Sequence, residues 1–135
     1  MMQKCPFAAA LVTGLAGCRH AEQVVRRGGS EYDCGSQLDQ QACQELFERL
    51  KSAALPAFGV EDDLASMPHS VLVKVQCGGL VGLAGLTRQA GDRIEDIAGL
   101  RDEALERFGG IDGLPVADLV EGITAFRAER RGRRR

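Results

Sequence analysis

Residues 71–86 form an apolar, glycine-rich segment that any fold of this chain has to bury. The segment contains a single charged residue, Lys74, and has glycine at positions 78, 79, 82 and 85. Its β-branched start is compatible with a strand, but we favour a helix. On a helix, spacings of three and four place several of these glycines on one face, where another backbone can approach closely. The sequence therefore predicts a buried helix with close neighbours.

Three other segments have the periodicity of amphipathic helices. One begins at Ser36, a predicted N-cap, and continues with helical spacing to Pro56, which should end it. Another extends from Ile94 to Gly109-Gly110, and the last begins at Pro115. All three patterns are typical of helices that pack one face against a core.

The N-terminal segment of the chain is also predicted to be helical. Residues 5–18 are apolar and predict a short buried helix that packs against the helix of residues 37–55 through Phe7, Leu11, Val12 and Leu15. Residues 19–27 predict a further helical turn or two before Gly28-Gly29. Because the chain shows neither a repeat nor a hairpin signal, we predict an all-α fold. It would be a compact bundle of about five short helices with a cysteine-bearing N-terminal part.

Length and charge indicate one domain with a distinct tail. At 135 residues the chain can form a single core, and we predict one helical domain over residues 1–126, in which residues 1–45 are cysteine-rich. The Arg-rich tail 127–135 holds six Arg and one Glu, which leaves 11 basic and 18 acidic residues elsewhere and a net charge of −7. An acidic body repels phosphates, and the tail has no aromatic surface on which bases could stack, so we expect no nucleic-acid partner.

Four of the five cysteines lie in the first 43 residues, at Cys5, Cys18, Cys34 and Cys43. Their spacing, Cys5-x12-Cys18-x15-Cys34-x8-Cys43, lacks the Cys-x-x-Cys pair from which structural zinc sites usually take two ligands. An iron–sulfur cluster, by contrast, can accept thiolates from separate helix ends and loops. The pattern therefore favours an iron–sulfur cluster of the [4Fe-4S] type, with these four cysteines as its ligands.

Other roles for the thiols stay open at the level of the sequence. Cys77 lies in the apolar segment and is predicted to be a packed core residue, although Cys77 or His20 could serve as a substitute ligand. Disulfides and scattered buried thiols are the remaining alternatives. The odd number of cysteines argues against disulfides, because one sulfur would be left over.

Leu15-Ala16-Gly17-Cys18 resembles the lipobox of bacterial lipoprotein signal peptides, in which the cysteine is lipidated and becomes the first residue of the mature protein. It follows an apolar region with Lys4 before it, as in such signals. Pro6 and the Arg19 that directly follows the cysteine depart from the pattern. The resemblance implies a membrane-anchored lipoprotein from which Cys5 would have been removed.

Together these patterns predict a small cytoplasmic iron–sulfur protein. It would act in electron transfer, or as an accessory or sensor of a larger redox system, with a redox or accessory protein as its partner. No Ser/His/Asp order, phosphate loop or dinucleotide motif is present in the sequence, so no catalytic residue is predicted and a non-enzymatic role is favoured. A membrane is expected only if the lipobox is used. The alternatives are a lipoprotein lipidated at Cys18 and a helical protein-interaction module with incidental thiols.

Overall fold

The computed structural model of the protein describes residues 3–26, 29–58, 69–87 and 93–126. These residues form a mostly helical fold with one small antiparallel sheet. The elements in chain order are β1 (Gln3–Lys4), α1 (Ala8–Val12), β2 (Ala21–Arg26), β3 (Gly29–Cys34), α2 (Gln37–Ala54), α3 (His69–Leu86), α4 (Ile97–Phe108) and α5 (Val116–Ala125). Single 3-10 turns at Leu55–Phe58 and Ile111–Gly113 follow α2 and α4. The predicted Arg-rich tail lies outside the described residues.

The sheet corrects the prediction of a purely α-helical protein. Its strand order is β1-β3-β2, and β2 and β3 are antiparallel neighbours that pair from Ala21 with Cys34 to Arg26 with Gly29. Residues predicted to be a helical turn are therefore strand β2. The signal that we missed was Gly28-Gly29, a turn dipeptide that follows the β-branched pair Val24-Val25.

The predicted helix after Ser36 is confirmed as α2. Ser36 is its N-cap, and the Ser36 hydroxyl accepts a hydrogen bond from the backbone N–H of Asp39. Leu46 and Leu50 lie on the buried face. Because Pro56 has no backbone N–H to donate, the α-helix gives way to a 3-10 turn there.

The apolar segment is confirmed as helical, in α3. A π-helical turn, Lys74–Gly78, lies between the α-helical turns His69–Val73 and Gly79–Leu86. The predicted close approach is also present, because a Cβ at Gly78 would lie 2.8 Å from the Ile123 Cα of α5. Glycine at this position lets α3 and α5 pack backbone against backbone.

The last two helices begin and end near the predicted residues. Asp96 caps α4 by accepting from the Gly99 N–H, and Gly109 ends the helix with a φ of 79°, a left-handed conformation that favours glycine. Pro115 immediately precedes α5. Ile94, predicted to begin α4, instead pairs in parallel with Ala16 before the helix starts.

The N-terminal segment belongs to the core. Phe7, Ala10 and Leu11 are buried, and the ring of Phe7 meets the ring of Phe47 of α2 edge-on at 5.9 Å. The Gln76 side chain of α3 fixes the segment by donating to Pro6 O at 2.9 Å and accepting from Ala10 N. Val12 differs from the prediction, since it is 57% exposed.

Among the described residues, one stretch is long and apolar enough to cross a membrane by length and composition, the helix α3. Within the structure 44% of this stretch is buried, and Val75, Leu80 and Leu83 are core residues. A helix at the centre of a protein core has the same length and composition, so this finding alone assigns no membrane.

Candidate functional site

The register of the sheet brings three of the four N-terminal cysteines towards one another. Cys34 is the last residue of β3, and it pairs with Gln3 of β1 on one side and Ala21 of β2 on the other. Cys5 follows β1 directly and donates its backbone N–H to Tyr32 O at 3.0 Å. Cys18 lies just before β2 and its carbonyl accepts from the Ala21 N–H at 3.1 Å.

The fourth cysteine comes from helix α2, which packs against β1 and β3. Cys43 lies on the buried face of α2, and its Sγ accepts a hydrogen bond from Nη1 of Arg101 at 3.1 Å. The predicted ligands thus come from two strand ends, a loop and a helix. Cys5, Cys34 and Cys43 are buried, and Cys18 is partly exposed.

The pKa values of the thiols reflect both their burial and their proximity. Burial raises the pKa of Cys5 to about 12; the Phe7 N–H opposes this rise, and the charges of Cys43, Cys18 and Cys34 add to it. Burial also raises the pKa of Cys43 to about 11, against the lowering effect of Arg101. Ionised Cys43, Cys18 and Cys34 would each raise the pKa of Cys5 further, and ionised Cys18 and Cys34 that of Cys43, so these thiols lie within electrostatic range of one another.

N–H groups of the protein act on three of the four sulfurs. The N–H of Phe7 lowers the pKa of Cys5, the N–H groups of His20 and Ala98 lower the pKa of Cys18, and Arg101 donates to Cys43. These donors oppose burial by favouring the ionised thiols, although burial remains larger and the pKa of Cys18 is raised overall. The Cys34 thiol differs, since it donates to Ser36 O at 3.3 Å.

Arg101 and Asp39 complete the site, and neither was predicted from the sequence. Arg101 is 3% exposed, and its Nη2 donates to Oδ1 of Asp39 and, at 2.8 Å, to Oδ1 of Asp102. The sequence does contain an indication of Arg101. It lies four residues after Ile97 and three before Ala104, and this spacing places it on the apolar face of the helix. A charge on a buried face requires partners, which points to a polar site.

The two substitute ligands have other contacts. The His20 Nε2 lies 3.2 Å from Oδ2 of Asp39, so the imidazole borders the site through a carboxylate. Cys77 is 1% exposed in the core, with its Sγ 3.8 Å from the hydroxyl of Thr13. Burial raises the pKa of Cys77 and the Thr13 hydroxyl lowers it, and the four N-terminal thiols do not contribute.

No metal centre is assembled in the described residues of the chain. Within these ranges no group of three or more His, Cys, Asp or Glu side chains is arranged to hold a metal ion. All five cysteines are free thiols. Cys18, Cys34 and Cys43 lie within electrostatic range of Cys5, but the described residues do not form a closed set of ligands around one ion.

A cleft of about 500 Å³ opens beside Cys5. Its walls come from the start of the chain and from α2 and α3, and include Lys4, Gln40, Phe47 and Leu72. The cleft leads from solvent to the residue pair Cys5-Pro6, so one side of the cysteine cluster borders an open cavity.

Searches of protein-family models, of curated proteins and of solved structures found no match to this chain. Function is therefore inferred from the residues of this chain alone.

Proposed function

We propose that this is a small iron–sulfur protein in which Cys5, Cys18, Cys34 and Cys43 hold a [4Fe-4S] cluster. The cluster would transfer electrons, or serve as an accessory or sensor of a larger redox system, with a redox or accessory protein as partner. The observation that carries the proposal is the convergence of these four thiols from separate elements, while the fifth, Cys77, packs in the core.

Ligands from separate elements suit a cluster better than a single ion. Four ligands of one zinc ion all lie at about 2.3 Å from it, so their sulfurs are in contact with one another. In a [4Fe-4S] cluster each thiolate binds a different iron at a corner of a cube, so the sulfurs stay further apart. Cys5, Cys18, Cys34 and Cys43 come from separate elements of the fold, which suits ligands that bind different irons.

Polar groups beside three of the sulfurs partly offset the burial that keeps these cysteines as thiols. The N–H groups near Cys5 and Cys18 lower the pKa values of these thiols, and a buried guanidinium donates to Cys43. Such donors stabilise a thiolate, which is the form that binds iron. At Cys34 the proton now donated to Ser36 O would be released when the sulfur binds iron.

The lipoprotein alternative conflicts with the packing of the N-terminal segment. Processing at Cys18 would remove Phe7, Ala10 and Leu11 from the core, together with the Cys5 ligand. It would also remove Leu15 and Gly17, whose backbones bond to Ile94 and Ile97. We therefore propose that the unprocessed chain is the working form and that it acts in the cytoplasm. A helical interaction module with incidental thiols would leave the buried Arg101–Cys43 contact without a role.

Anaerobic purification followed by reconstitution with iron and sulfide tests the proposal. We expect brown protein that absorbs at about 400 nm and contains about four irons per chain. Serine in place of Cys5, Cys18, Cys34 or Cys43 should abolish or strongly reduce cluster content. Colourless, iron-free wild-type protein after reconstitution would refute the proposal.

Cys77→Ala is the matched control for those variants. It removes a buried sulfur from the core at a cost of about 1 kcal/mol and should leave the iron content unchanged. Loss of iron in Cys77→Ala, with retention in Cys5→Ser, would show that the fourth ligand is assigned incorrectly.

A further inference from the structure

The guanidinium of Arg101 is buried directly against a sulfur of the proposed site. Nη1 lies 3.1 Å from Sγ of Cys43, a hydrogen-bonding distance for a nitrogen donor and a sulfur acceptor. Two carboxylates hold the group in this orientation: Nη2 donates to Asp39 and Asp102, and Nε donates to Asp102 at 3.0 Å. With these donors occupied, Nη1 is directed to the sulfur and to Asp39 O, 3.4 Å away.

Helix α4 presents a second donor to the site on the same face. The backbone N–H of Ala98, three residues before Arg101, lies near Cys18 and lowers its pKa. The loop that carries Cys18 is tied to the start of this helix, because the Asp96 carboxylate accepts from the Arg19 backbone at 2.9 Å and from its side chain. One helix therefore places a donor on Cys43 and a backbone N–H near Cys18, two of the four proposed ligands.

We propose that Arg101 is a positioning residue that raises the reduction potential of the cluster, an inference that rests on the proposed function. Reduction adds one electron to the cluster and makes its sulfurs more negative. A buried positive charge that donates to a ligand sulfur stabilises the reduced state more than the oxidised state. The hydrogen bond to Cys43 is the contact through which Arg101 acts, and Asp39 and Asp102 hold it in place.

Charge removal at this position should therefore make the cluster harder to reduce. Arg101→Gln removes the positive charge and leaves the Asp39 carboxylate near the cluster without its cation. At a fixed potential, the ratio of reduced to oxidised cluster should fall at least about tenfold, which is a downward shift of about 59 mV for a one-electron couple. Arg101→Lys keeps the charge but is too short to bridge Asp39 and Cys43, so it should shift the potential in the same direction by less.

The matched control is Arg19→Gln. It removes one arginine that is also anchored to α4, but the Arg19 side chain is 60% exposed and ion-paired with Asp96. Solvent screens an exposed charge, so the potential should change less than in Arg101→Gln.

The experiment is a reductive titration of each reconstituted protein with dithionite. Absorbance and electron paramagnetic resonance follow the reduction, and iron content is measured on the same samples.

A lowered potential in Arg101→Gln that exceeds the change in Arg19→Gln supports the inference. A loaded Arg101→Gln with the wild-type potential overturns it while leaving the proposed function intact. If Arg101→Gln takes up no iron, Arg101→Lys decides: a lowered potential supports the inference, and an unchanged potential or failure to load overturns it. Absence of iron from the reconstituted wild-type protein would overturn the proposed function and this inference together.

Discussion

Asp39 links three side chains around the cysteine cluster. It accepts from the Ser36 hydroxyl at 2.7 Å and from Arg101, and it lies 3.2 Å from the imidazole of His20. The hydrogen bonds from Ser36 and then from Arg101 lower the pKa of Asp39 below its usual value. The folded protein therefore stabilises the ionised carboxylate.

Asp39→Asn should reduce the free energy of unfolding at neutral pH by about 1–3 kcal/mol, because Arg101 loses a charged partner while it stays buried. The depressed pKa of Asp39 contributes stability above the pKa of the unfolded chain, near 3.8, and this contribution is lost as the pH falls towards the folded pKa. The difference between the wild type and Asp39→Asn should therefore be constant from pH 7 down to about pH 5 and shrink at lower pH.

Chemical denaturation across this pH range measures the effect of Asp39. Asp102→Asn is the control: its side chain is 65% exposed although it also bonds to Arg101, so its loss should cost less than about 1 kcal/mol. A difference between the wild type and Asp39→Asn that stays constant below about pH 4 would contradict this account of Asp39.

At the scale of the elements, the contact between α3 and α5 depends on the absence of a side chain at Gly78. An added Cβ there would lie 2.8 Å from Ile123 Cα and 3.2 Å from Gly122 O, and backbone atoms cannot move aside independently. Gly85 lies in the same helix, and a Cβ at that position would meet nothing within 4 Å.

Gly78→Ala should therefore destabilise the protein by about 1–3 kcal/mol, because α3 and α5 have to move apart. Gly85→Ala should be neutral or stabilise by up to about 1 kcal/mol, since alanine favours the helix without a clash. Thermal or chemical unfolding measures the stability of both variants. It compares an added methyl group that meets the backbone of α5 with one that meets open space in the same helix. Equal effects of the two substitutions would argue against the observed packing.

The elements that were predictable from the sequence are those with a strong local pattern. Helices α2, α4 and α5 have apolar periodicity together with a cap or a proline at an end, and these signals act over a few residues. The β2–β3 hairpin has short strands along which apolar and polar residues do not clearly alternate. Its stability therefore comes from the pairing of the strands and not from a local sequence pattern. Only Gly28-Gly29 indicated it.

At the scale of the molecule, the spacing of the cysteines indicated Cys5, Cys18, Cys34 and Cys43 as candidate ligands, but it did not indicate the groups around them. Asp39 and Arg101 are 62 residues apart in the sequence, and no local pattern connects them. Their contact depends on how α4 packs against α2, which follows from the whole core. The buried position of Arg101 on an apolar helix face was the one local indication.

The N-terminal segment contributes buried side chains to the core. A chain that begins at Cys18 would lose the side chains of Phe7 and Leu11, and burying each stabilises the fold by about 1.5–3 kcal/mol. Because domains are stable by only about 5–15 kcal/mol, we expect residues 18–135 alone to unfold with much reduced stability and cooperativity. Circular dichroism during chemical denaturation measures the free energy of unfolding of residues 18–135 and of residues 1–135. Equal stability of the two chains would show that the segment is dispensable and would favour processing at Cys18.

Native mass spectrometry of protein isolated anaerobically tests the central claim most directly, because one spectrum reports both the covalent chain and its cofactor. The proposal predicts a full-length, unlipidated chain that carries the additional mass of four irons and four sulfides and loses it on acidification. A chain that begins at a lipidated Cys18, or a full-length chain without added iron and sulfide, would contradict it.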